Sequence, residues 1–193
     1  MIMQIFLSYL PYAVITTFTP GPNNLMSFYS VSNYGWRNGI KMISGIIAGF
    51  VMNLIICVLF CHELAVYVPK ITIWLKYIGA VYMLWLAFHI ATSLPNKTDS
   101  RAVKFSSGFI LSITNVKVIL YLITLYTAYI IPSGSNLGYL FIHSVLIFML
   151  SCVSWLLWAS AGGIFQKFIS RYYRPFNIIM ALLLAWCAVS LIF

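Results

Sequence analysis

The chain alternates long apolar runs with short polar gaps. The apolar runs cover residues 4–32, 40–61, 71–93, 105–131, 137–165 and 175–193. The hydrocarbon core of a bilayer is about 30 Å thick, and a helix needs roughly 20 apolar residues to cross it. Every run reaches about that length. The pattern therefore predicts an all-α integral membrane protein with six transmembrane helices.

Composition supports a membrane setting. Of the 193 residues, 63% are hydrophobic and 7% are charged, whereas soluble domains carry about a quarter charged residues. Because six spans leave only short loops, we predict a single transmembrane domain over residues 1–193. The formal charge of +9 comes from basic residues in the short gaps and not from one solvated face, which argues against a nucleic-acid partner.

The basic residues mark one side of the membrane. Those in the first, third and fifth gaps are Arg37, Lys41, Lys97, Arg101, Lys104, Lys167, Arg171 and Arg174. The even-numbered gaps hold at most Lys70 and Lys76, and the termini hold none. Cytoplasmic loops are enriched in Lys and Arg, so the odd gaps are predicted to be cytoplasmic and both termini to face outward. We expect a multi-pass protein of the cell inner membrane.

Two prolines interrupt the first apolar run, in the segment Thr19-Pro20-Gly21-Pro22-Asn23-Asn24. Each proline removes a backbone donor and obstructs the carbonyl one turn earlier, and the glycine permits unusual backbone angles. In hydrocarbon an unpaired backbone group is costly, so a break is tolerated only where protein or water covers it. A simple proline kink is the plainer alternative. Two prolines followed by two asparagines favour a functional break.

A second polar cluster, Asn115-Val116-Lys117, interrupts the fourth apolar run. A lysine at the centre of a spanning helix costs roughly 2.5–3.5 kcal/mol on insertion scales. Snorkelling to an interface would relieve this cost, but long apolar flanks favour a position inside the bilayer. Lys117 is therefore a candidate for contact with a transported molecule.

The two breaks occupy matching places, each in the first helix of a set of three. Sets with an odd number of helices insert in opposite orientations, which is the inverted-repeat plan of many secondary transporters. We predict two inverted three-helix repeats, over about residues 1–97 and 104–193, with a transport site where the interrupted helices meet. The predicted site residues are Thr19, Pro20, Gly21, Pro22, Asn23, Asn24, Asn115 and Lys117.

The sequence lacks the residue sets that membrane enzymes and redox proteins need. Its two acidic residues, Glu63 and Asp99, lie in loops, which excludes carboxylate-based intramembrane hydrolases and argues against a hard-cation site. A thiol–disulfide electron conduit would need a cysteine at each break, but the first and fourth runs contain none. We therefore expect no enzymatic activity, no cofactor and no metal.

Several motifs resemble those of the LysE/RhtB-type amino-acid exporter family, and the resemblance runs the full length of the chain. Thr19-Pro20-Gly21-Pro22-Asn23 is similar to the family's first-helix signature, Thr-Pro-Gly-Pro-Asp/Asn. Gly35-x-Arg37-x-Gly39, followed by Gly45-x-x-x-Gly49, is similar to the stretch that comes next in the family. Asn115-Val116-Lys117 matches the Asn-Pro-Lys position.

Two departures from the family pattern are informative. Val116 replaces the usual proline, so the fourth helix is expected to be broken less sharply than in most relatives. Asn23 stands where many relatives have Asp. Both variants, together with the segment Phe165-Gln166-Lys167-Phe168 and the ending 181–189, resemble the cysteine/O-acetylserine exporter branch.

The resemblance implies export of small neutral amino acids by alternating access, with cysteine and O-acetylserine as the expected cargo. Such a zwitterion needs a positive point for its carboxylate, which Lys117 supplies, and oxygens for its ammonium, which the first break supplies. An exporter of the homoserine/threonine type, or of another small solute, stays open. The oligomeric state also stays open, a homo-oligomer included.

The energy source is a separate question. Proton exchange needs a group that titrates inside the membrane, and the apolar runs contain no carboxylate. His143, early in the fifth run, or Lys117 would have to act as the proton relay. A hydrogen-bonded packing role for His143 is the alternative, and facilitated efflux without a coupling ion stays equally open.

Overall fold

The computed structural model describes residues 2–92 and 103–192, apart from the side chains of residues 61–73, 75, 76, 170, 191 and 192. The regular structure in this part of the chain is helical throughout, which confirms the all-α prediction. The helices are α1 (Ile2–Phe18), α2 (Pro22–Ala91), α3 (Phe105–Ile113), α4 (Val116–Thr124), α5 (Leu137–Ile164), α6 (Gln166–Arg171) and α7 (Tyr173–Ile192). A π-helical turn over Leu125–Ile130 and a 3₁₀ turn over Ile131–Ser133 continue α4.

Several helices are long and apolar enough to cross a membrane. Within the described residues, four stretches qualify: Pro22–Phe60, Val116–Ser133, Leu137–Ile164 and Tyr173–Ser190. Ile2–Phe18 and Tyr77–Ala91 are shorter apolar helices. Large apolar side chains also face outward, and Phe141 and Trp186 are 67% and 70% exposed. A helical surface of this kind is suited to lipid, so the chain is a membrane protein.

The stretch α2 joins helical segments across two of the predicted gaps. At the first gap, 34–39, helical geometry is interrupted at Gly35, whose φ is 69° and ψ is 169°, a conformation that favours glycine. A Cβ at Gly39 would lie 3.0 Å from Val31 N, so the chain folds back here and the gap is a tight turn between two helices. At the second gap, 62–70, the helix continues beyond a bend at Phe60. The predicted third loop, with Lys97, Asp99 and Arg101, lies mostly outside the described residues.

Glycines bring α2 and α3 into backbone contact. A Cβ at Gly49 would lie 2.7 Å from the carbonyl oxygen of Phe109, and a Cβ at Gly45 would collide with the carbonyl of Phe105. A Cβ at Gly108, on α3, would collide with the backbone of α2. Small residues at such spacing allow close helix approach in membranes. Because α2 leaves the first break and α3 leads into the second, this contact fixes the two breaks relative to each other.

Candidate functional site

The first break lies between α1 and α2, at residues 19–21. Helix α1 ends at Phe18 and α2 begins at Pro22, while Gly21 is extended at a φ of −156° and a ψ of 173°. Pro22 takes the first position of the new helix, where its missing N–H leaves no helical carbonyl unpaired. The interruption expected around the two prolines is therefore present, as a gap between two helices.

Side chains satisfy the carbonyl groups at the end of α1. Asn24 Nδ2 donates hydrogen bonds to Thr17 O at 2.8 Å and to Thr19 O at 2.9 Å. Ser154 Oγ, from α5, also donates to Thr17 O at 2.9 Å. Without these donors the break would leave carbonyl oxygens unpaired inside the bilayer. Asn24 therefore stabilises the break itself.

Replacing Asn24 with aspartate is expected to destabilise the protein strongly. The change nearly preserves the shape of the side chain, but it removes one of the two donors from each carbonyl oxygen and places a buried negative charge beside both oxygens. A buried charge that faces acceptors instead of donors is costly. The melting temperature of the purified protein in detergent should therefore fall by several degrees, as measured by the loss of the monodisperse peak on size-exclusion chromatography after heating.

The same substitution at Asn136 is the matched control. Asn136 Oδ1 accepts a hydrogen bond from Tyr139 N at 2.8 Å and caps the N-terminus of α5. Aspartate keeps this acceptor and suits a helix N-terminus, so Asn136→Asp is expected to leave the melting temperature unchanged or slightly raised. Equal losses in the two variants would contradict the donor role of Asn24.

The second break lies between α3 and α4, at Thr114 and Asn115. Helix α3 ends at Ile113, and Asn115 caps α4 through Oδ1, which accepts a hydrogen bond from Lys117 N at 3.1 Å. An asparagine cap starts a new helix without the help of a proline. The fourth apolar run is therefore interrupted even though Val116 stands at the position of the family's proline.

An amide pair joins the two breaks. Asn115 Nδ2 donates to Asn23 Oδ1 at 3.0 Å, and Asn23 Nδ2 donates to Ser112 Oγ at 3.3 Å. Asn53, from the middle of α2, donates through Nδ2 to Ser112 O at 2.9 Å. All four residues are at most 8% exposed, so these bonds form where an unpaired amide would be costly. The two interrupted helices meet, as the sequence predicts.

Lys117 reaches from the second break to the first. Its Nζ donates to Thr19 O at 3.1 Å and to Thr19 Oγ1 at 3.3 Å. The side chain passes over Gly21, where a Cβ would lie 3.2 Å from both Cδ and Nζ. The described residues that line the surrounding cavities include no acidic side chain. The ammonium is therefore held by uncharged oxygens and is available to an anionic group of a ligand.

Two neighbouring cavities lie at this junction. The larger has a volume of about 480 Å³ and also borders Pro20 and Cys187. The smaller has a volume of about 40 Å³ and is bordered by Phe50 and Trp155. The residues that line both are Thr16, Gly21, Asn115, Lys117 and Tyr121. The larger cavity has the size of an ordinary small-molecule site.

The structure brings all the predicted substrate-contacting residues to this junction. They are Thr19, Pro20, Gly21, Pro22, Asn23, Asn24, Asn115 and Lys117. Sequence reasoning missed Tyr121, Ser151 and Trp155, which line the smaller cavity, and Ser154, which bonds to the first break. The signal for the α5 residues is modest: polar and aromatic positions recur on one face of an apolar helix.

His143 lies away from both cavities. It is fully buried on α5, and its Nδ1 lies 2.9 Å from the hydroxyl oxygen of Tyr9. The ring of Tyr139 packs edge-on against it, at a centroid distance of 4.6 Å. The ring of Tyr129 lies 6.2 Å from that of Tyr9 and 6.4 Å from that of Tyr12, which lines the larger cavity. His143 thus stands at the far end of a series of aromatic rings that begins at the junction.

Comparison with known proteins identifies the family of the chain. The family model described as LysE type translocator matches residues 14–193. Cysteine/O-acetylserine efflux proteins of Escherichia coli (strain K12), Escherichia coli O9:H4 (strain HS) and Shigella flexneri are each 36% identical to the chain over 185 residues. The matched region covers 94% of this chain and 94% of each relative. No solved structure matches the chain. The chain belongs to the LysE type translocator family, and it is a transporter and not an enzyme.

Proposed function

We propose that the protein exports small neutral amino acids across the cell inner membrane, with cysteine and O-acetylserine as its cargo. The relatives named above, which match nearly the whole chain, are efflux proteins for these two compounds. The observation that carries the proposal is the junction of the two breaks, where Lys117 borders a cavity of about 480 Å³. A broken backbone and an ammonium are both costly in lipid, and a polar cargo that meets them there accounts for both.

Each charged end of a zwitterionic cargo has a counterpart at the junction. The cargo carboxylate binds Lys117 Nζ, assisted by the backbone N–H groups at the start of α2 after Pro22. The cargo ammonium binds Thr19 O and the amide oxygens of the neighbouring asparagines. Cargo binding then exchanges the contact between Lys117 and Thr19, at 3.1 Å, for one contact to each end of the cargo. Gly21 supports this exchange because its lack of a side chain leaves room for the lysine.

The proposed architecture has six crossings in two inverted repeats, over about 1–97 and 104–193, with both termini outside. Support comes from the bends at Gly35 and Phe60, which divide α2 into three stretches, and from the basic residues of the odd gaps. In a cysteine-free background, Ser135→Cys is expected to react with an impermeant maleimide on intact cells, and Arg171→Cys only after lysis. The reverse pattern would contradict this orientation.

Transport is proposed to follow alternating access, in which the two repeats rock about the junction. If efflux is coupled to protons, the proton is carried by Lys117, which lines both cavities, or by His143, which is hydrogen-bonded to Tyr9. Efflux down the cargo gradient is the alternative. Cargo uptake into everted vesicles, measured with and without an imposed pH gradient, distinguishes proton-coupled efflux from efflux down the cargo gradient. Only coupled transport responds to the pH gradient at a fixed cargo concentration.

Export of labelled cargo from overexpressing cells is the direct test of the proposed function. Cells that contain the protein are expected to release labelled cysteine and O-acetylserine several times faster than empty-vector cells, with homoserine and lysine as comparators. Release of homoserine alone would reassign the cargo to the homoserine/threonine type. Release of none of the four compounds would contradict amino-acid export and leave a different small solute as the cargo.

A further inference from the structure

The smaller cavity contains a polar group that the protein itself does not use. Ser151, on α5, lines this cavity and is 1% exposed. Among the described residues, Ser151 Oγ has no hydrogen-bond partner. A buried hydroxyl without a partner is costly, and native proteins nearly always satisfy such a group.

The other amides of this cavity are already engaged within the protein. Asn23 bonds through Nδ2 to Ser112 and through Oδ1 to Asn115. Both hydrogen bonds donated by Asn24 Nδ2 go to carbonyl oxygens of the first break. Ser151 therefore differs from these two amide donors, because its hydroxyl makes no hydrogen bond to the described residues and is free to donate one to a ligand.

The shape of the cavity limits what can reach this hydroxyl. The rings of Phe50 and Trp155 meet edge to face, at a centroid distance of 5.1 Å, and both residues are at most 3% exposed. The volume of about 40 Å³ equals the space of about three water molecules, each of which needs roughly 10–15 Å³ on this measure. Only the first few atoms of a side chain fit.

We propose that this cavity is the side-chain pocket of the transporter and that Ser151 donates a hydrogen bond to the γ-atom of the cargo. The inference rests on the proposed function, since it places the cargo backbone at Lys117, which lines both cavities. The first atoms of the cargo side chain enter the small cavity. The ring wall of Phe50 and Trp155 sets the length limit, and the hydroxyl selects an oxygen or sulfur atom over a methyl group.

Three amino acids of equal heavy-atom count test the hydrogen bond. Serine, cysteine and 2-aminobutyrate differ only in the γ-atom, which is a hydroxyl, a thiol or a methyl group. They compete with labelled cysteine for uptake into everted vesicles under reducing conditions. In Ser151→Ala, serine is expected to weaken as a competitor by about 3- to 10-fold relative to 2-aminobutyrate. Cysteine should weaken less, because a thiol is a poor hydrogen-bond partner.

Two further variants complete the test. Ser160→Ala is the matched control, since Ser160 lies on the same helix and lines neither cavity, and it should leave all ratios unchanged. Ser151→Thr keeps the hydroxyl but adds a methyl group to the cavity. It is expected to preserve the ratio of serine to 2-aminobutyrate and to reduce uptake of the longer O-acetylserine most.

The possible outcomes separate this pocket from the proposed function. An unchanged ratio of serine to 2-aminobutyrate in Ser151→Ala, or a changed ratio in Ser151→Thr, overturns the pocket. Cysteine uptake by the wild-type protein would still uphold the proposed function. Loss of all uptake in both variants, at normal amounts of membrane protein, also overturns the pocket, because alanine at position 151 cannot obstruct the cavity. Wild-type vesicles that take up no amino acid would instead overturn the proposed function.

Discussion

Replacing Lys117 with methionine is expected to reduce cysteine export to the level of empty-vector cells. The variant loses the cation that is proposed to bind the cargo carboxylate, and a hydrogen bond to a charged group contributes about 1.5–3 kcal/mol. Methionine is similar in length and favourable in lipid, so the amount of protein in the membrane should not fall. Export of labelled cysteine, normalised to the amount of transporter by immunoblot, measures the effect.

Lys104→Met provides the control for the loss of a positive charge. Lys104 is exposed at the start of α3 and lines neither cavity at the junction. Seven other basic residues remain in the odd gaps, so the orientation in the membrane should hold. Normal export by Lys104→Met with none by Lys117→Met supports the site. Export that survives in Lys117→Met shows that the cargo carboxylate binds elsewhere.

Gly45→Ala is expected to have the largest effect on folding. The Cβ of alanine at position 45 would collide with the backbone carbonyl of Phe105. A backbone group cannot move out of the way as a flexible side chain can. Overpacking of this kind costs about 1–3 kcal/mol and more where helices must separate. Because the contact between α2 and α3 fixes the two breaks relative to each other, both the melting temperature and the export rate should fall.

Gly138→Ala is the matched comparison for this substitution. A Cβ at Gly138, in the first turn of α5, meets only Asn136 Oδ1, at 3.6 Å. Alanine favours helix over glycine by about 0.8–1.0 kcal/mol, so this variant should be as stable as the wild type or slightly more so. If both glycine variants melt at the wild-type temperature, the close approach of α2 and α3 does not limit stability.

The apolar runs and the two breaks could be predicted from sequence because lipid imposes strict rules on both. A run of about 20 apolar residues has few alternatives to a helix in a bilayer. The form of the gaps was less predictable, since the chain folds back within a few residues at Gly35 and stays helical through 62–70 beyond a bend at Phe60. Short polar gaps indicate where the chain leaves hydrocarbon, but they do not indicate how tight the turn is.

The site residues that are costly in lipid could be predicted from sequence, whereas those that depend on their spatial neighbours could not. Lys117 and the Pro20–Asn24 segment stand out because each is costly in an apolar run. Ser151 and Ser154 do not stand out, because single serines are common in apolar helices and acquire a role only through what lies opposite them. That Asn115 would start a helix beside Val116 also depends on its cap bond to Lys117 N, which sequence spacing alone does not reveal.

The neutrality of the amide pair bears on how fast the transporter can turn over. A single hydrogen bond between Asn23 and Asn115 contributes about 0.5–1.5 kcal/mol net, whereas a buried charge that has lost its partner costs about 3–5 kcal/mol. Every 1.4 kcal/mol of barrier slows a step about tenfold. With asparagine at position 23, a movement that separates the pair would strand no charge, so the pair itself would add little to the barrier beyond the packing of α2 on α3.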